Sequence, residues 1–248
     1  MTDARFRYGG VFAITVAMTV FVLIAGDSRL ARAIEVFAAG TALLIAVATS
    51  GATVRTRRIA GAAVGIAVAT VLLASATGVS APTVPLAATS LLLALSVGVI
   101  SSGLLRLILH RGVDVTAVLG ALSVYLLIGL TFAFLVGAIA TGFSGPYFAE
   151  GIDGTQADRV YFSFTALTTT GFGDLTARTR GGHALAVLEM LIGQLYLVTV
   201  IALLVSNLRH DRVDAPSPAR GDARSPRDGD ALRGGHVELR DPHSWTGQ

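Results

Sequence analysis

The sequence predicts an all-α membrane protein with six membrane-crossing helices, and three observations carry that prediction. Hydrophobic residues make up 53% of the 248 and charged residues only 14%, whereas a soluble domain carries about 25% charged residues. Mean hydropathy is +0.69. The apolar residues fall in continuous runs near the roughly 20 residues that a spanning helix needs, without the alternation of a membrane β-barrel.

Taken in order, Tyr8–Gly26 is uncharged and forms the first segment. Arg5 and Arg7 precede it as in a signal peptide, but the run is long and lacks a small-x-small cleavage site, so it is expected to be retained. Val36–Val54 is the second. Ile59–Leu105 is uncharged throughout and too long for one crossing. Pro82 and Pro85, lacking an N–H, divide it into Ile59–Thr77 and Leu86–Leu105. Val115–Ala140 is the fifth segment, and Ala184–Leu208 the sixth, interrupted only by Glu189. Between the last two, Arg159–Thr168 has helical spacing of apolar residues but cannot span. Irregular backbone at membrane depth must be buried in protein or line a water-filled cavity, so this half-length helix and the Thr-Thr-Gly-Phe-Gly after it read as a re-entrant loop.

With no cysteine there is neither a disulfide nor a thiolate metal site. All 19 basic residues are arginine and the net charge is +3. They cluster in short loops and in the tail, which topology explains better than nucleic-acid binding. No Gly-Lys-Ser/Thr phosphate loop or His-Glu-x-x-His motif occurs; the chain reads as a non-enzyme with no cofactor. With the N-terminus inside, Arg5, Arg7, Arg55, Arg57, Arg58, Arg106, Arg111, Arg209 and Arg212 are all cytoplasmic, against Arg29 and Arg32 outside. The balance puts both termini in the cytoplasm of a multi-pass cell-membrane protein. Three parts result: a four-helix domain (1–112), a domain with the re-entrant loop (113–210) and a tail (211–248). The tail is dominated by arginine, aspartate, glycine and proline, a composition that cannot bury enough apolar surface to fold. It is too short to form an attached ligand-binding domain, which is roughly a hundred residues or more.

The line Tyr161-Phe-Ser-Phe-Thr-Ala-Leu-Thr-Thr-Thr-Gly-Phe-Gly-Asp-Leu175 resembles the pore helix and selectivity filter of potassium channels. Val115–Leu208 is similar to the two-helix pore domain of bacterial members, and the first four segments share only the layout of the six-helix type. The resemblance implies that carbonyls of Thr169, Thr170, Gly171 and Phe172, with the Thr169 hydroxyl, coordinate dehydrated potassium. Gly171 and Gly173 supply the mirror-image backbone angles such a strand needs. Phe172 packs outward into the pore-helix aromatics. Tyr161 and Phe162 occupy the paired-aromatic positions, and Tyr161 is the expected hydrogen-bond partner of Asp174. Because one chain carries one filter, a closed ring of carbonyls implies a homotetramer in a lipid bilayer, with a tetrameric pore.

Gly193 lies 20 residues after Gly173, where the family has its gating hinge; close helix packing is an equal reading. Glu189 is read as a protonated or hydrogen-bonded structural glutamate rather than an ion ligand. The acids Glu150, Asp153 and Asp158 belong either to a solvated loop or to a ring that concentrates cations. Three features depart from the family: Thr170 replaces valine or isoleucine, Phe172 replaces tyrosine, and the proline often found after the aspartate is absent from Leu175–Arg180. They keep open a weakly selective monovalent cation channel. A transporter subunit, which would need four filter repeats in one chain, and a non-conducting membrane protein are the remaining readings. Leu86–Leu105 carries no charge, and Arg106, His110 and Arg111 come only at its inner end, so little or no intrinsic voltage dependence is expected.

Overall fold

The structure, a computed structural model, describes residues 8–50, 52–76, 82–111 and 115–213. Seven helices occupy them: α1 (Gly9–Ile24), α2 (Arg29–Thr49), α3 (Val54–Ala76), α4 (Thr83–Arg111), α5 (Val115–Gly142), α6 (Gln156–Leu167) and α7 (Arg180–Val213). By length and composition, 29–49, 83–108, 115–142 and 180–203 suffice to cross a membrane, while α1 is apolar but only 16 residues long.

Local chemistry explains the bounds. α2 starts seven residues before the expected Val36 because the Ser28 side chain accepts from the Ala31 N–H at 3.0 Å, capping a helix that takes in Arg29, Arg32 and a buried Glu35. The expected break falls between Ala76 and Thr83. Pro85 then sits within the first turn of α4, where its missing N–H is no loss. α7 continues through Asp211 to Val213, so the expected tail boundary at 211 lies inside a helix; the tail from 214 onward is outside the described residues.

Helix α5 is the hub. Its Leu127, Leu130, Ala133 and Phe134 are fully buried, and α1, α4, α6 and α7 all pack on it. α3 stands at the edge against α2 and α4, leaving an apolar groove of about 740 Å³ between α3 and α4. On the far side of the hub, α6 is held between α5 and α7.

Candidate functional site

The site is built on α6. Its N-terminus carries a capping box: Thr155 Oγ1 accepts from the Asp158 N–H at 3.2 Å, and Asp158 accepts from the Thr155 N–H at 2.7 Å. The next amide, Gln156 N–H, donates to Asp27 Oδ1 in the α1–α2 turn at 3.1 Å, setting a carboxylate at the positive end of the helix dipole. α6 therefore begins three residues before the expected Arg159. Arg159 is buried, donating through Nε to the Asp153 carbonyl at 3.1 Å and through a terminal nitrogen to Gln156 Oε1 at 3.1 Å.

The three loop acids are anchors within the chain. Asp158 caps α6, Asp153 accepts from the Tyr147 N–H at 2.9 Å, and Glu150 accepts from the Thr176 hydroxyl at 3.3 Å. The loop is clipped to the segment after Asp174 by Ala149 N–H to the Thr176 carbonyl and Arg178 N–H to the Tyr147 carbonyl, both 2.8 Å.

At its other end α6 stops because Thr169 leaves the helical region, with φ at +56°. Gly171 (+51°) and Gly173 (+81°) follow, so every second residue is left-handed. Glycine adopts this freely, whereas a threonine there costs about 1–2 kcal/mol. Local bonds hold it. The Thr169 N–H donates to the Ala166 carbonyl at 2.8 Å, and the Thr170 and Gly171 N–H groups share the Thr165 carbonyl at 2.9 and 3.2 Å. Gln194 of α7 donates to Thr169 Oγ1 at 3.0 Å. No peptide bond among the described residues is cis, and in a trans unit the carbonyl points opposite to the following N–H. The carbonyls of Thr168, Thr169 and Thr170 therefore point away from α6, and Thr168 to Asp174 are all exposed in the single chain.

The predicted aromatic residues divide. The Tyr161 hydroxyl donates to Asp174 Oδ2 at 2.9 Å, and the Tyr161 ring stacks on Phe172 with centroids 6.2 Å apart and planes 6° from parallel. The hydrogen bond to Asp174 is also the main cause of a Tyr161 phenol pKa above its ordinary value. Phe162 instead points into the loop: it is buried edge-to-face against Phe148 and Tyr147, at 5.3 and 6.2 Å. It shores up the loop, and Tyr161 alone of the pair reaches the segment from Thr169 to Asp174.

Gly193 has a contact reason. A Cβ there would collide with the Leu167 carbonyl oxygen and side chain, so its absence lets α7 lie against the last turn of α6. α7 is one unbroken helix across this point, and the close contact gives the glycine a packing role. On the opposite flank, a Cβ on Gly129 of α5 would stand 2.8 Å from the Phe164 ring. Ser163 and Glu189, both buried, meet between these seams. A hydrogen-bonded Glu189 was expected from the sequence, and Ser163 of α6 is its partner; the shared Thr165 carbonyl and the Gln194 bond escaped the sequence reading.

Residues 120–210 match a family model described as an ion channel. This stretch is similar to an ion-channel domain. The matched residues span most of α5, all of α6, the segment from Thr168 to Arg178 and most of α7. Searches of the curated proteins and of the solved structures give no match.

Proposed function

We propose that the chain forms a homotetrameric potassium channel with six membrane helices and both termini cytoplasmic, in which α6 is the re-entrant pore helix. Four copies of Thr169–Gly173 make the filter, with potassium held by carbonyls of Thr169, Thr170, Gly171 and Phe172 and by the Thr169 hydroxyl. One observation carries this reading: the N–H groups of residues 169–171 are tied to α6, turning the carbonyls before them to the open side, with left-handed backbone at 169, 171 and 173. Oxygens fixed in that direction can replace a cation's water without reorganising.

The exposed surface supports the assembly. Leu188, Leu191, Leu195 and Val198 lie bare on α7, and Phe172 is 69% exposed. Copies arranged about an axis at the filter cover such apolar area. The uncharged body of α4 supports weak or no voltage dependence, because each charge crossing the field is worth about 2.3 kcal/mol per 100 mV.

A weakly selective cation channel is the second reading, favoured by one contact: the Thr170 hydroxyl bonds the Thr168 hydroxyl at 2.9 Å, a link that valine or isoleucine cannot make. Purified protein in liposomes tests both. Potassium efflux with a reversal potential following potassium supports the first; equal permeability to sodium selects the second. Absence of flux from tetramers, or a monomer in lipid, overturns the proposal.

A further inference from the structure

Glu189 of α7 is 1% exposed. An ionised carboxylate at that depth needs a cation or several donors to offset its lost hydration. Its hydrogen-bond partner is Ser163 of α6, and among the described residues Oε2 has none. Among the described residues the titratable groups facing it are two phenols, Tyr125 on α5 and Tyr147 in the loop, and neither α6 nor α7 turns a charged side chain towards it.

The hydrogens can be counted. Ser163 has one hydroxyl hydrogen but stands against two oxygens, the Gly129 carbonyl at 2.7 Å and Glu189 Oε1. Given to an ionised carboxylate, that hydrogen leaves two bare oxygens facing each other across 2.7 Å at Gly129. Given to Gly129, it leaves no hydrogen between Ser163 and Glu189. A single additional proton on Glu189 resolves both contacts: Glu189 donates to Ser163 Oγ, and Ser163 donates to the Gly129 carbonyl. The bare Oε2 is then a neutral acid's oxygen, far less costly to bury than an anion.

We infer that Glu189 is a neutral carboxylic acid at neutral pH, and that the relay Glu189–Ser163–Gly129 is a positioning device locking α7, α6 and α5 together behind the segment from Thr169 to Gly173. Only its consequence for conduction rests on the channel reading. Glutamine supplies the same donor as the protonated acid, so Glu189→Gln preserves the relay, whereas Glu189→Leu and Ser163→Ala break it.

The test uses the full chain in lipid. In the infrared difference between wild type and Glu189→Gln at neutral pH, a carboxylic-acid carbonyl band is expected from Glu189; a carboxylate band in its place would overturn the inference. In liposomes, Glu189→Gln is expected to retain potassium flux that falls about tenfold in Glu189→Leu and Ser163→Ala, the size of effect expected from one lost buried hydrogen bond. Equal loss in Glu189→Gln and Glu189→Leu, with assembly intact, would also overturn it. If wild type shows the acid band and no flux, the channel reading fails and the relay stands.

Discussion

Helices α1–α4 and the region from α5 to α7 share a composition but differ in what holds them. In the first, the body of α4 has no charged residue, α3 packs mainly on α2 and α4 and borders an open groove, and Cβ atoms added at Gly61, Gly65 or Gly98 would meet nothing within 4 Å, although one at Gly103 would strike Tyr8 and Ser50. In the second, Gly129 and Gly193 are flush against α6, the acids of the loop are all engaged, and successive amides are tied to named carbonyls. The contrast teaches that apolar burial goes far towards building a helical bundle, while the segment proposed to present backbone oxygens is held by directional bonds and by close contacts that need glycine.

Glycine substitution breaks the contrast most sharply. Gly193→Val forces a side chain into the Leu167 carbonyl, which rotamer change cannot relieve; overpacking of this kind costs about 1–3 kcal/mol. Potassium flux is expected to be lost and the melting temperature to fall. Gly65→Ala in α3 is expected to keep flux and gain up to about 1 kcal/mol from helix propensity. Equal effects of the two would dissolve the distinction.

Next comes Tyr161. Phenylalanine there keeps the stack on Phe172 and removes the bond to Asp174. The expected outcome is a potassium-to-sodium permeability ratio lowered several-fold with flux retained, read from reversal potentials; an unchanged ratio would show that the bond to Asp174 adds nothing to the stack in supporting the proposed filter. Thr155→Ala removes the α6 cap and should cost about 1 kcal/mol, or about 2–4 °C in a thermal melt of a chain this size. The smallest effect is expected in the first region: Arg106→Gln should leave a shallow conductance–voltage curve as it was. A slope that depends on Arg106 would show that α4 does sense the field.

Much of this arrangement was legible because hydrophobicity is written residue by residue. The uncharged run from Ile59 to Leu105 and its two prolines located the break between α3 and α4, and Thr-Thr-Gly-Phe-Gly with its following aspartate located the segment after α6. What stayed hidden depends on direction. Tyr161 and Phe162 are neighbours in sequence, yet helix phase turns one towards Phe172 and the other towards Phe148. Asp158 reads as one acid of a solvated loop until Thr155 is seen to share its cap. Gly193 stands at hinge spacing, and only the nearness of the Leu167 carbonyl gives it a packing role. Thr169 carries no sign of its positive φ in its side chain, because that angle is imposed by amides bonded back to α6.

The Asp27 contact has a mechanical consequence. The turn joining α1 to α2 grips the first amide of α6 from 129 residues away in sequence, so a tilt of that hairpin tugs on the same short rod whose far end carries Thr169. On the channel reading proposed above, membrane tension or thickness acting on that hairpin would have a tether to the ion path that involves no moving charge. Cutting it with Asp27→Ala should uncouple conductance from bilayer thickness; a thickness dependence that survives would mean the tether transmits nothing.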